Sequence, residues 1–398
     1  MPINFISQQD VKGKTLLLRC DLNSNVINGK IAVSARLREH AQTIKQLAVA
    51  GAKLVVLAHQ GRKGDADFIS LQQHSAALEK LVGKKIKFFG WNSNYVAEIG
   101  LLKESEIVLM ENTRFLDAES EEKSPEEHAQ TDFVKKLASV SDYFVQDALS
   151  VCHRSQASVV GFSTLLPCFA GQVLEKELLA LQKIAEVKEK RLLVLGGAKP
   201  KESIEVLESM LGQGKIDEAL LGGLLAELFW CCQGIKFGAK EKFFEEKKLL
   251  GLLPNCSKIF EAFSEKILLP IDFALDCNGK KKNLLVEQLP SEYSTADIGE
   301  KTILAFCKKV SGASVIIFNG PMGVYEKKYF AIGTKKVLQA ISKSKAFSIL
   351  GGGDTETALG QLGFKQEQFS HVSLAGKALL EFLAGKELPG LAALEAGK

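Results

Sequence analysis

Ten short apolar runs, each four to six residues long and separated by amphipathic stretches, punctuate this chain of 398 residues from end to end. TLLLRC (15–20), KLVVLA (53–58), KIKFF (85–89), EIVLM (106–110) and YFVQD (143–147) lie in the first half. RLLVL (191–195), EALLG (218–222), KILLP (266–270), SVIIF (314–318) and FSIL (347–350) lie in the second. Runs this short that stay apolar, instead of alternating with polar residues, suit strands covered on both faces. Between them, stretches such as 34–50 and 126–139 carry helical periodicity, and Ser124-Pro125-Glu126-Glu127 opens the second with a helix-start signal. Parallel strands need a crossover long enough to hold a helix, so this alternation predicts parallel sheets with helices on both faces. The expected fold is α/β, with two doubly wound, Rossmann-like parallel-sheet domains.

A chain of this length outgrows one core, which argues for two domains or three. Pro167 and Gly171 interrupt the pattern, and VLEKELLALQKIAEVKEK (173–190) then reads as one long helix. The expected organisation is a first domain over 1–170, a connecting helix or hinge over 171–190 and a second domain over 191–384. A tail over 385–398, containing Gly385, Pro389 and Gly390, is expected to pack back on the first domain.

Composition narrows the function classes. A net charge of +4 is too small for this length to imply a nucleic-acid partner. No apolar stretch approaches a membrane span, and MPINFISQQDVKGK lacks the basic and apolar regions of a signal peptide. The eight cysteines form no C-x-x-C pair or zinc spacing, so buried free thiols in a reducing compartment are expected. The reading is a cytoplasmic protein without membrane or nucleic-acid partners.

All seven arginines (Arg19, Arg36, Arg38, Arg62, Arg114, Arg154, Arg191) fall in the first 191 positions, whereas lysine serves both halves. Arginine is not interchangeable with lysine where phosphate or carboxylate is held bidentately. Ligands of open α/β sheets bind beyond the carboxyl ends of the strands, and the arginines follow that rule. Arg19 ends the first strand, with Asp21 and Asn23 after it; His59 and Arg62 follow the second. Arg114 follows EIVLM, and His153 and Arg154 follow YFVQD. Any one of these is ordinarily a surface charge. Four strand ends delivering cationic or imidazole groups to one rim make an anion pocket. Arg36 opens a helix, and strand-end geometry does not account for it.

The second half offers glycine where the first offers arginine. RLLVL runs into Gly196-Gly197-Ala198-Lys199 and then a helix, so backbone N–H groups and a helix N-terminus can approach phosphate, with Lys199 as a cation. A tight strand–helix turn explains GGAK about as well. It is not a Walker A loop, and the G-x-G-x-x-G fingerprint is missing from the first βα turn of either half, which speaks against a nicotinamide enzyme. Two more glycine turns, FNGPMGVYE (318–326) and GGGDT (351–355), follow strands. Asp354 reads either as an N-cap or as a Mg²⁺ ligand, with Thr355 as a companion donor, and Glu326 could accept from ribose hydroxyls.

Taken in order, RCDLN (19–23), the Arg36 helix, HQGR (59–62), ENTRF (111–115), HR (153–154), GGAK (196–199), FNGPMGVYE and GGGDT resemble the phosphoglycerate kinase family over nearly the whole chain. The resemblance implies reversible in-line phosphoryl transfer from 1,3-bisphosphoglycerate to Mg-ADP, giving 3-phosphoglycerate and ATP, on hinge closure of a monomer. It implies substrate positions at Arg19, Asp21, Asn23, Arg36, His59, Arg62, Arg114 and Arg154. It implies nucleotide positions at Gly197, Ala198, Lys199, Ser203, Gly222, Gly223, Gly299, Asn319, Pro321, Gly323, Val324, Glu326, Gly351, Gly352, Gly353, Asp354 and Thr355. Asp354 would hold Mg²⁺, and Arg36 and Lys199 would stabilise charge on the transferring group. The chain departs from the family pattern in places. Ser203 stands where a second lysine is common, as is expected of archaeal-type members. AHQGRK replaces SHLGRP, Asn25 replaces a proline and Leu224 a glycine, and SLAGKA (373–378) replaces STGGGA. These departures leave one alternative open, a catalytically weakened nucleotide-binding homologue that regulates or scaffolds.

Overall fold

All ten apolar runs pair as parallel ladders in the computed structural model, which describes residues 3–397, with one further short strand added to each sheet. One sheet runs, edge to edge, Ile86–Phe89, Ile107–Met110, Lys53–Leu57, Thr15–Arg19, Tyr143–Gln146 and Cys168–Ala170. All its pairings are parallel, and Thr15–Arg19 and Ile107–Met110 are buried along their whole length. A second sheet runs Ile267–Leu268, Glu218–Leu221, Arg191–Leu195, Val315–Asn319, Phe347–Gly351 and His371–Val372, again wholly parallel. Numbered within that sheet, its order is 3-2-1-4-5-6, the doubly wound order whose reversal beside the first strand leaves a ligand crevice.

Each sheet belongs to its own unit, one formed by residues up to Leu179 with those from Glu387 onward, the other by Ala180–Lys386. In the first unit Leu16, Leu18, Leu54, Val56, Leu109 and Val145 pack with the helix Ala35–Val49 through Leu37, Ile44 and Leu47. In the second, Leu192, Val194, Ile316, Phe318 and Leu350 pack with Phe306, Val337 and Leu338. The helix Pro389–Ala396 belongs to the first unit. The backbone N–H of Gly390 in it donates to the Cys152 carbonyl at 2.9 Å, and any side chain on Gly390 would meet Cys152.

Local structure departs from the sequence reading in four places. The stretch 126–139 is two helices, Pro125–Ala129 and Asp132–Ala138. The Thr131 hydroxyl donates to the His128 carbonyl at 2.7 Å and accepts from the Val134 N–H at 3.5 Å, ending one helix and capping the next. The long helix spans Gln172–Glu186 and stops short of Lys190, which has a positive φ of 55°. The run 266–270 keeps only Ile267–Leu268 as strand. A three-stranded antiparallel sheet, Asp272–Cys277 with Lys280–Leu285 and Thr295–Ile298, was not anticipated. Its hairpin strand reads KKKNLL and is half-exposed, so no apolar run marks it.

All eight cysteines are unpaired thiols. No helix among the described residues is long and apolar enough to cross a membrane.

Candidate functional site

The carboxyl ends of the central strands in the first unit hold the predicted rim in two tiers. Arg19 is the lower tier, completely buried. Its Nε donates to Ser158 Oγ at 2.8 Å, and its guanidinium also donates to the Cys20 carbonyl and to His59 Nδ1, the latter at 3.1 Å. Ser158 passes the contact to the buried Glu119, which accepts from both the Ser158 hydroxyl and its N–H. Guanidinium has no acceptor, so His59 Nδ1 must accept and the ring proton sits on Nε2. Burial, then repulsion from Arg19, hold the His59 pKa well below the usual imidazole range. His59 is thus a neutral Nε2–H donor.

Asp21 is pinned from several sides. Its backbone N–H donates to His40 Nε2 at 3.2 Å, and His40 Nδ1 meets Asp147 Oδ2 at 2.8 Å. Its carboxylate accepts from Ser150 Oγ at 2.6 Å and lies 3.5 Å from the Arg36 guanidinium. Burial, the largest influence, would raise this carboxyl, but Arg36, His59, the Ser150 hydroxyl and His40 together outweigh it and leave Asp21 ionised well below the ordinary carboxylate range. Cys20, His40 and Asp147 lie close enough to suggest a metal cluster. Both His40 nitrogens are committed to Asp21 and Asp147, so the imidazole is a hydrogen-bonded strut between them.

Ser34 caps the helix Ala35–Val49 by accepting from the Leu37 N–H at 3.2 Å, which fixes Arg36 in its first turn. Arg36 Nε is buried and has no hydrogen-bond partner. A buried guanidinium nitrogen left unsatisfied calls for an acceptor from outside. Asn23 Oδ1 accepts from the Gly61 N–H at 2.9 Å, and Arg114 donates to the Gly61 carbonyl, so two loops are tied at one glycine. Burial lowers the Arg114 pKa to about 10, which leaves it charged at neutral pH. Arg62 is exposed, and Arg154 pairs with Glu122 at 2.9 Å. Strand-end reasoning therefore counted Arg19 among the rim groups, whereas the structure buries it beneath them.

In the second unit, three turns after adjacent strands interlock through main chain. The Gly197 N–H donates to the Pro321 carbonyl at 2.7 Å and the Gly223 N–H to the Met322 carbonyl at 3.0 Å. Gly223 has φ +55°, and a β-carbon on it would sit 2.8 Å from the Gly197 nitrogen, so only glycine fits. The Gly320 N–H donates to Thr355 Oγ1 at 2.9 Å and the Asn319 amide to the Gly351 carbonyl at 2.8 Å, adding the GGGDT turn.

These turns border a cavity with two lobes that share Gly197, Ala198 and Asp354. The larger, about 320 Å³, is lined by Leu224, Phe243, Phe273, Ala296, Pro321, Met322, Gly323 and Val324, with Glu227, Lys240, Asp297, Tyr325 and Glu326 as its polar groups. The smaller, about 230 Å³, is lined by Gly196, Lys199, Ser203, Asn319, Gly320, Gly352, Gly353, Thr355, Gly376 and Lys377 among others. The first suits a flat apolar ring with a polar rim. The second suits phosphates, with backbone donors and lysine. Lys199 is exposed and stands 4.0 Å from Asp354, whose carboxylate is 45% exposed in the first turn of Gly353–Leu362. An accessible hard-oxygen donor beside a phosphate lobe fits Mg²⁺, which is commonly held by one carboxylate together with substrate phosphates. Thr355 is buried, and its hydroxyl accepts from Gly320.

Three predicted positions line neither lobe. Gly222, Gly299 and Gly351 pack behind the cavity, where added β-carbons would meet Met322, Asp272 and Leu379 respectively. Conversely, Phe273, Ala296 and Asp297 line the larger lobe from the unanticipated antiparallel sheet. Glu227 is buried there between Thr295 and Lys240, the latter 3.4 Å away. The sequence carries no signal for Phe273, Ala296 and Asp297, because their register comes from a sheet that the apolar pattern does not reveal.

Asp297 yields a pH test. Burial pushes its carboxyl up to about 7, although it accepts from the Gly333 N–H at 2.7 Å and the Ile298 N–H at 2.9 Å. Unfolded, it ionises near pH ~4, so between pH ~4 and the folded value the native state holds a proton that the unfolded chain has released. This contribution to stability is complete below pH ~4 and is lost as pH rises through 7. Asp297→Asn, which cannot titrate, should therefore gain stability relative to the parent between pH 5 and pH 8 in denaturant melts. A pH-independent difference would contradict this.

A family model described as phosphoglycerate kinase matches residues 6–386. The chain is 38% identical over 405 residues to the phosphoglycerate kinase of Methanothermobacter thermautotrophicus, with 99% of this chain and 98% of that one covered. It is 40% identical over 395 residues to that of Thermococcus kodakarensis, with coverages of 96% and 95%. Among solved structures, the phosphoglycerate kinase of Pyrococcus horikoshii matches with a TM-score of 0.92 at 36% identity, and that of Coxiella burnetii with 0.84 at 31%, each covering 99% of both chains.

Proposed function

The chain belongs to the phosphoglycerate kinase family and catalyses its glycolytic reaction, reversible phosphoryl transfer between 1,3-bisphosphoglycerate and ADP; we propose that the arginine rim holds phosphoglycerate and the two-lobed cavity holds the nucleotide. The observation that carries this assignment is the pairing of a guanidinium site having an unsatisfied buried Nε with a glycine cavity divided into apolar and phosphate-type lobes. The relatives are named for the catalytic activity, which gives the regulator alternative no support.

In the proposed cycle, Arg36, Arg62, Arg114 and Arg154 receive the phosphate and carboxyl groups of the substrate, and Asp21, Asn23 and neutral His59 hydrogen-bond its remaining oxygens. Arg19 acts from beneath by fixing the His59 tautomer. The base and ribose enter the lobe of Leu224, Phe273, Val324 and Glu326. The phosphates meet the backbone N–H groups of the glycine turns and Lys199. A β-phosphate oxygen of ADP attacks the acyl phosphorus in line, the bond from phosphorus to the carboxyl oxygen breaks, and that oxygen leaves as the carboxylate of 3-phosphoglycerate. Mg²⁺ bound at Asp354 would neutralise phosphate charge. Arg36 and Lys199 stabilise charge on the phosphoryl group as it moves, so positioning and electrostatics carry the rate without a covalent enzyme intermediate. Direct transfer needs the two ligands to meet, so the cycle includes a closure step that also keeps water from the acyl phosphate. The same reading makes the enzyme cytoplasmic and active as a monomer.

Formation of ATP from 1,3-bisphosphoglycerate and Mg-ADP, followed by a coupled assay, tests this directly. Lys199→Ala should weaken ADP binding and turnover by about ten-fold or more each, the worth of a charge-assisted hydrogen bond. Unchanged affinity and rate would remove Lys199 from the site.

A further inference from the structure

The phosphate lobe contains a lysine that the proposed mechanism does not use. Among the described residues, Lys199 and Lys377 are the lysines lining it. The helix that follows Lys199 supplies no other cation there. Ser203 is buried and uncharged, with its hydroxyl 3.4 Å from the Lys199 carbonyl, and Lys201 lines only the neighbouring cavity. Glu202 and Asp354 add negative charge to the same lobe. One lysine is a poor match for a phosphate chain between two carboxylates, even with a divalent cation bound.

Lys377 begins the helix Lys377–Leu383, immediately after Gly376, and its side chain is 55% exposed. Its ammonium is 2.9 Å from Glu381 Oε1. It also lines the adjoining charged cavity with Lys201, Glu205, Glu381 and Lys386, where Lys386 is already paired with Glu205. Lys377 thus borders both spaces, held on one side by an ion pair whose lysine is exposed and whose Glu381 is only 18% exposed. A pair with its cation in solvent is readily exchanged for another anion, and lysine has a flexible four-carbon stem with three rotatable donors.

We propose that Lys377 is a second phosphate-contacting cation of the nucleotide site, resting on Glu381 in the free enzyme and moving to the terminal phosphate oxygens when nucleotide binds. Lys377 then supplies the charge that Ser203 does not. The lysine contacts the part of the nucleotide beyond the α-phosphate, so its contribution depends on phosphate number. This inference rests on the assignment of the glycine lobe to phosphates.

The test compares Lys377→Ala, Glu381→Gln and Lys199→Ala by calorimetric titration with Mg-ATP and with AMP, and by steady-state turnover. Thermal melts confirm that each variant is folded. Lys377→Ala is expected to weaken Mg-ATP binding and lower kcat by about ten-fold each. Its affinity for AMP and its KM for 3-phosphoglycerate should stay within about two-fold of the parent, because neither ligand meets that end of the lobe. Glu381→Gln is expected to tighten Mg-ATP about two-fold by releasing the lysine. Mg-ATP affinity and kcat unchanged in Lys377→Ala, while Lys199→Ala loses both, would overturn the inference and leave the site assignment standing. An equal loss of AMP binding, or a loss in Glu381→Gln matching that of Lys377→Ala, would show the pair to be structural and also overturn it. If Lys199→Ala too is without effect, the assignment of the phosphate lobe fails.

Discussion

Replacing Arg36 by alanine is expected to lower turnover on the order of 10³-fold while ADP affinity stays within about two-fold, and lysine at that position should restore only part of the loss. Three features of the site lead to this expectation. Ser34 caps the helix and fixes where Arg36 begins, and Asp21, kept ionised, holds its guanidinium from 3.5 Å. Its Nε is buried and unsatisfied. A group already desolvated and oriented loses little on meeting the transferring phosphoryl, so the interaction is strongest where charge develops. Lysine keeps the charge but not the planar fork, so once gripped by Asp21 its remaining donors diverge and cannot meet two phosphoryl oxygens in parallel. Steady-state rates in both directions, set beside ADP titration, decide the matter. Equal losses in rate and nucleotide affinity would mean that Arg36 holds structure.

Arg19→Leu should destabilise the protein by about 3–5 kcal/mol, measured by denaturant unfolding, because it breaks a buried charged network by removing one partner. Glu119 would keep its hydrogen bonds from Ser158 but lose the cation relayed through that serine. The Cys20 carbonyl and His59 Nδ1 would each lose a donor. Adding Glu119→Gln should recover part of the loss, since the penalty is an uncompensated buried charge more than a missing contact. A cost below about 1 kcal/mol would show that water or a neighbouring group replaces the guanidinium readily. Turnover in the surviving folded fraction should also fall, because nothing then fixes the proton of His59 on Nε2.

The arginine rim was legible in the sequence for a physical reason. Parallel strands covered on both faces must be apolar, so their ends show clearly, and ligands gather where the strands stop. Asp21, Asn23, His59 and Arg114 all follow from that rule. Their depth does not follow from it. Arg19 ends its strand like a rim residue, yet Ser158, some 140 residues later, decides that its side chain stays inside. The antiparallel sheet failed for the opposite reason: Lys280–Leu285 is partly exposed along its length and has no apolar run, so Phe273 and Asp297 could not be assigned to the larger lobe. Gly299 was carried over by resemblance alone. Its lack of a side chain makes room for Asp272 and serves the packing behind the cavity.

The placement of Pro389–Ala396 bears on how the protein is made. That helix completes the first unit, lying against Cys152 and packing Ala393 with Val151, Val159 and Val160. During synthesis, residues up to Leu179 emerge first but must wait for all of Ala180–Lys386 before their last helix exists. The unit carrying the arginine rim is therefore begun before the other and completed after it. Until then a nascent chain leaves uncovered the side of Val151, Val159 and Val160 against which Ala393 packs in the folded unit.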